Sequence, residues 1–332
     1  MAFLFEFTHE PAPWLPLRDM EAVDKAILTD LHDAQGKSFE NPGFSVEVVW
    51  DVHNIFVTDL FQRIRLSDIN DQKLVLILPS PENAVFISLT EVLNKYRVSC
   101  RNVHIFFLYE YANEKGQVAP WNSPYSRSGQ FMRHFYQRLD GELRMPMEQI
   151  HFWTKENIES YSDLIAAEGG ADVAYTTLSW SGGIGAIDAE TYPAKSMDQL
   201  LQMGSRYVTP MPENIAMDSL RGMFGFSGDL GNVPPCAVTV GPKDLAAAKT
   251  CMHMQYLTAC GGTIALQKSA LKSALKLSLF GPLCPENTGS LMRLLPGTCY
   301  MSEDVAADGT YRQDAKWLEE KIASIRKQEE GK

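Results

Sequence analysis

The chain has 332 residues, enough for one large α/β domain or two small ones with a sizeable core. With 45% hydrophobic and 21% charged residues it has the composition of an ordinary globular protein, and a formal net charge of -11 argues against nucleic-acid binding, which needs a basic face. A small anionic ligand remains compatible, because a few local cations can hold one inside an acidic protein.

The N-terminal MAFLFEFTHEPAPW has no basic start, and its apolar run is broken by Glu6, so it does not read as a secretory signal. No apolar stretch approaches the ~18 residues that span a bilayer. A cytoplasmic protein without a membrane partner is therefore expected. The six cysteines form no CxxC pair and have no histidine at zinc spacing, which predicts free thiols and no metal.

Residues 1–45, with prolines around the helical pattern MEAVDKAILTDLHDA, read as an irregular N-terminal extension on a domain over 46–332. In SVEVVWDVHNIFVTDLFQRIRLSDI, apolar residues recur at helical spacing through Val52, Ile55, Phe56, Leu60 and Ile64. The continuous run Leu74 to Leu78 predicts a strand buried on both faces, followed by a helix from about Ala84 to Tyr96. NVHIFFLYEY reads as a second strand, SPYSRSGQFMRHFYQRL as a helix and ADVAYTTLSW as a third strand. PCAVTVGPKDL supplies a further strand, and GGTIALQKSALKSALKL a strand–turn–helix unit. This alternation predicts an α/β fold with a single doubly wound, mostly parallel sheet and helices on both faces, Rossmann-like in kind. Ligands of such sheets bind beyond the carboxyl ends of the strands. The polar clusters there are 80–83, 109–111, 179–185 and 241–243.

In their order and local pattern these strand ends resemble the glucosamine-6-phosphate deaminase/isomerase family, over roughly Val52 to Ala306. The family's phosphate-cradling L-P-T-G-G-T-P resembles Leu78-Pro79-Ser80-Pro81-Glu82-Asn83-Ala84, which keeps the proline and a hydroxyl but neither glycine. Its M-D-E-Y, whose Asp is the proton-moving base, resembles Leu108-Tyr109-Glu110-Tyr111, with Tyr109 at the Asp position. Its G-x-G-N-D-G-H-I-A-F-N-E-P resembles the stretch around Ser181, Gly182 and Gly183. There Gly182 stands for the catalytic Asp and Ile184 for the His, with Asp188 and Glu190 one position either side of the Glu. The family's phosphate-binding Arg in N-S-R-F-F resembles Arg221, and the Lys of G-x-x-K-A resembles Lys268.

The resemblance implies a sugar-phosphate isomerase or deaminase acting on an amino-sugar phosphate such as glucosamine 6-phosphate, without a cofactor. It implies Glu110, Asp188 and Glu190 as the carboxylates placed for catalysis. Ser80, Asn83, Ser181, Gly182, Gly183, Arg221 and Lys268 are the implied substrate-binding residues. A helix-capping role competes with ligand binding for Ser80 and Asn83, and a solvated helix face competes for Lys268. The expected partner is a small-molecule sugar phosphate, with no nucleic acid and no membrane, and a homo-oligomer is allowed. The alternative is a sugar-phosphate-binding sensor or partner subunit that has lost catalysis, favoured by the missing Asp and His. Lactone hydrolysis is disfavoured, because that branch also uses a His in the glycine-rich loop. His104, His134 and His151 read as satisfied core or surface residues.

Overall fold

The computed structural model describes residues 10–79, 83–220, 224, 227–256 and 264–307. In chain order the strands are β1 (Phe44–Val49), β2 (Leu74–Leu78), β3 (Val103–Phe107), β4 (Tyr109–Ala112), β5 (Ile150–His151), β6 (Val173–Thr176), β7 (Arg206–Val208), β8 (Cys236–Thr239), β9 (Cys251–Gln255) and β10 (Gly297–Ser302). The helices are α1 (Met20–Leu28), α2 (Val52–Asn70), α3 (Asn83–Tyr96), α4 (Arg127–His134), α5 (Tyr161–Ala167), α6 (Met197–Leu200), α7 (Pro212–Ser219), α8 (Pro242–Ala247), α9 (Ile264–Phe280) and α10 (Glu303–Ala306).

Seven strands form one sheet in the order β1-β10-β9-β6-β2-β3-β5. Every pairing in it is parallel. Leu74 to Leu78 are all buried, as a central strand covered on both faces requires. On α2, Phe56, Leu60 and Ile64 repeat at helical spacing and are each at most 1% exposed. Asp51 starts that helix by accepting from the Asn54 N–H at 3.1 Å.

From β2 the chain moves outward to β3 and β5. It then returns to place β6 against the other side of β2 and continues outward to β9 and β10. The strand order therefore reverses between β2 and β6, and their carboxyl ends flank the crevice where such sheets take ligands. The segment after β2 and the glycine-rich loop after β6 lead out of this switch point. A second, antiparallel sheet has the order β4-β8-β7, and its strand β4 follows directly from the carboxyl end of β3.

Several expectations are corrected. NVHIFFLYEY breaks after Phe107, and β4 leaves the central sheet to pair with β8, so the PCAVTV strand belongs to the small sheet. SVEVV, ahead of the helical pattern that starts at Val52, belongs to a strand not anticipated from the sequence; β1 alternates between buried and exposed positions at its start, so one of its faces is covered and the other open. The strand before α9 is CMHMQ rather than GGTIAL, whose residues 261–263 lie outside the described set while Ile264 already begins the helix. Residue 45 itself lies in β1. The preceding segment lies on the C-terminal part of the chain, where Lys276 Nζ donates to the Ile27 carbonyl at 2.9 Å and Asn41 Nδ2 to the Leu294 carbonyl at 2.8 Å.

Candidate functional site at the strand-order reversal

The loop after β6 is a turn closed by its own backbone. Ser179 N–H donates to the Gly183 carbonyl at 2.8 Å, and Gly182 N–H to the Ser179 carbonyl at 3.0 Å. Gly182 has φ +88°, a conformation that glycine adopts without strain. At Gly183 the constraint is space: a Cβ there would overlap Asp188 Oδ1 and the Ile187 carbonyl, so the two limbs meet only because the residue has no side chain.

This close approach seats Asp188, which is 1% exposed. Ser181 Oγ donates to Asp188 Oδ1, and Asn214 Nδ2 donates to Oδ2 at 2.9 Å from α7. No described cation faces the carboxylate, and burial pushes its pKa up to about 6. The Ser181 and Asn214 donors oppose that rise, and the charges of Glu213 and Glu190 add to it.

Glu110 has different surroundings. Its Oε1 accepts from the N–H groups of Tyr111 and Arg127, both at 2.9 Å. Its Oε2 accepts from the N–H of Ser128 at 2.8 Å and from Ser128 Oγ at 2.7 Å. Two of those N–H groups belong to the first turn of α4, where a carboxylate also meets the positive end of the helix. Burial raises its pKa against these donors.

Arg127, also 1% exposed, sits with its guanidinium carbon 3.7 Å from the Tyr109 ring centre and 4.3 Å from that of Tyr111. Its NH2 donates to Asp218 Oδ2 at 2.6 Å and to the Tyr111 hydroxyl at 2.8 Å, and that hydroxyl donates to the same Oδ2 at 2.8 Å. Tyr109, at the position of the family's base, therefore presents a ring face to a cation.

The remaining expected residues divide as follows. Ser181, Gly182 and Gly183 form the turn beside Asp188, and Glu190 is exposed two residues further on. Asn83 starts α3 and donates through Nδ2 to Gln130 Oε1 at 3.3 Å. Ile184 is fully buried in the main core, so it fills interior volume. Ser80, Arg221 and the side chain of Lys268 lie outside the described residues. Asn214, Arg127 and Asp218 take part without having been singled out from the sequence, and so does His253. That residue is fully buried on β9, with Nδ1 2.6 Å from Thr176 Oγ1, and burial lowers its pKa to about 3, so it is neutral. Beside it Gln255 Oε1 accepts from the Leu178 N–H at 3.1 Å, tying β9 to the loop. A polar pair inside the apolar CMHMQ was the available signal.

Between loop and α7 runs a crevice of about 10 Å³, lined by Tyr109, Tyr111, Gly185, Asn214 and Asp218 among others. That is room for one water. Tyr111 and Pro234 are shared with a wider groove of about 400 Å³ that also reaches Asn113 and Gln117.

Two measurements follow from these surroundings. Because the folded Asp188 holds its proton up to about pH 6, its contribution to stability is intact at low pH, falls as pH rises from about 4 to 6, and is absent above. The loss amounts to about 3 kcal/mol. Asp188→Asn should flatten the dependence of Tm on pH across that window, and an unchanged slope would contradict the assignment. Glu110→Ala, which strands buried N–H donors, should lower the unfolding free energy in urea by about 3 kcal/mol or more.

No known family profile matches the chain, and no curated protein matches its sequence. Solved structures do. A monomeric glucosamine-6-phosphate deaminase, described as a missing link of the NagB superfamily, superposes with a TM-score of 0.62 at 16% identity, covering 79% of this chain and 98% of that one. The 6-phosphogluconolactonase of Trypanosoma cruzi gives 0.53 at 14% identity, covering 81% and 97%, and that of Thermotoga maritima 0.51 at 13%, covering 78% and 99%. The chain therefore shares its fold with glucosamine-6-phosphate deaminase and the 6-phosphogluconolactonases.

Proposed function

We propose that the protein binds an amino-sugar phosphate, glucosamine 6-phosphate or a close relative, at the β2/β6 reversal and moves a proton on it slowly, as an isomerase or deaminase with part of its acid–base set replaced. Asp188 is the observation that carries this reading. It is a carboxylate of the glycine loop with a pKa of about 6, and its partner Ser181 is partly buried. A base poised near neutral pH is what proton abstraction beside a carbonyl calls for. Ser181 Oγ is hydrogen-bonded to the buried carboxylate, and its hydroxyl is assigned as the relay through which a proton from the ligand reaches Asp188. Glu190 is assigned as a second carboxylate at the rim. Glu110 is assigned to fixing α4, since both of its oxygens are already taken by four donors from β4 and the start of α4.

Asn83, Gly182 and Gly183 are assigned to the sugar side. Ser80, Arg221 and Lys268 are assigned to the phosphate from their sequence positions, a guanidinium and an ammonium being suited to a dianion. Proton transfer of this kind draws on no cofactor.

Ligand binding without turnover is the second reading, favoured by Ile184. At the position of the family's imidazole the chain has a fully buried group that neither gives nor takes a proton. General acid–base help is worth about 10²–10⁴-fold. Glucosamine 6-phosphate should raise Tm and give a saturable isotherm, while ammonia release on the same preparation stays below about 1 s⁻¹, the low end of ordinary enzyme rates. Asp188→Asn should abolish the residual release and keep the isotherm. Binding with no release at any enzyme concentration selects the sensor reading. No response to glucosamine 6-phosphate or 6-phosphogluconate would overturn both readings.

A further inference from the structure

His104, on β3, and His151, which ends β5, stand on neighbouring strands, with their rings stacked at 5.7 Å. Glu168 lies just past α5, ahead of β6. His104 Nδ1 is 3.4 Å from His151 Nε2 and 3.4 Å from Glu168 Oε2. One ligand atom from each residue lies within 4.8 Å of the others. His104 is the second residue of β3 and Glu168 precedes β6, so the group sits toward the amino-terminal edge of the parallel sheet. The carboxyl-end crevice is on the other side.

We propose that His104, His151 and Glu168 form a binding site for a divalent transition-metal ion, zinc by ligand set and spacing. Two imidazole nitrogens and a carboxylate oxygen are a zinc set that leaves a fourth position for water. Atoms bound tetrahedrally at about 2.0–2.2 Å lie about 3.3–3.6 Å from one another; two of the three separations here fall in that range, and the third, within 4.8 Å, closes as the ion draws the His151 and Glu168 side chains together. Octahedral magnesium would bring them nearer together and prefers oxygen ligands.

The surroundings hold the ligands in place. The His151 ring stacks on Phe106 at 4.1 Å with planes 4° apart. Gln149 Nε2 lies 3.0 Å from His104 Nε2, while the buried Gln149 Oε1 has no hydrogen-bond partner. In the opposite orientation of that amide, Oε1 accepts from His104 Nε2–H. The proton is then on Nε2 and the Nδ1 lone pair faces His151 and Glu168, the outer-shell pattern of a metal-bound histidine. Burial holds both imidazoles below their usual pKa, so they are neutral ligands at pH 7. Lys73 opposes the ion, since its Nζ donates to Glu168 Oε2 at 2.9 Å. The ammonium is 49% exposed, which screens the repulsion, and it keeps the Glu168 carbonyl at 3.2 Å as an anchor.

The test uses the full chain, stripped with a chelator, mixed with zinc chloride and desalted. About one zinc per chain should be retained. Cobalt(II) in its place should give the intense visible bands of a tetrahedral site, and calcium and magnesium should not compete. Glu168→Gln and His151→Ala should each weaken zinc binding at least tenfold, while Asp188→Asn leaves it unchanged. Glu168 is partly exposed, so Glu168→Gln keeps the test decisive should His151→Ala fail to fold. No retained zinc, or retention unaltered in Glu168→Gln, would overturn the site.

Discussion

Glu110 accepts three backbone N–H groups and one hydroxyl while 1% exposed, and two of those N–H groups are ones that the first turn of α4 would otherwise leave unpaired. The consequences run outward from there. Pinning that turn fixes Arg127 between the two tyrosines of β4, where its guanidinium reaches Asp218. Asp218 fixes the end of α7, and α7 carries Asn214 to Asp188. A base candidate on one loop is thus positioned by a carboxylate on a different strand, with a buried ion pair between them.

Such an ion pair is poor evidence of stability, because removing both charges from water costs about as much as their attraction returns. Its effect here is on position. Arg127 offers donors in a fixed plane, so Asp218 has one place in which to meet it. The contrast with Asp188 follows from the same accounting. Both carboxylates are buried, but Asp218 has a guanidinium against it, whereas Asp188 has only an amide and a hydroxyl, and its pKa rises. One environment makes an anchor and the other a group that titrates near neutrality.

The strands legible in the sequence were those whose apolar runs are unbroken, LVLIL above all. β9 escaped because His253 and Gln255 interrupt its pattern, and those are the residues that bond to Thr176 and the loop. β1 escaped because its apolar positions merge with the start of the α2 pattern. Among the candidate site residues, sequence order placed Asp188 and Ser181 in one loop, and the loop closes through both. It named Glu110 as a candidate base, while no sequence pattern reveals that a helix seventeen positions later turns its N–H groups onto that carboxylate. His104, His151 and Glu168 come from two strands and a helix end, spaced unlike any local metal motif, so only the parallel register of β3 and β5 brings them together.

The pairing of β1 with β10 has a consequence for biosynthesis. Ser45 and Thr298 face each other across that ladder although 253 positions separate them. During translation β1 leaves the ribosome early, and among the described strands its sheet partner β10 is made last. At about 5–20 residues per second the interval is tens of seconds. β1 presents unpaired backbone for that time and the outer side of β9 for only the last few seconds of it, so the nascent chain passes through a brief late stage with two open sheet edges. Chaperone engagement is therefore expected to concentrate there and to end when β10 slots between them.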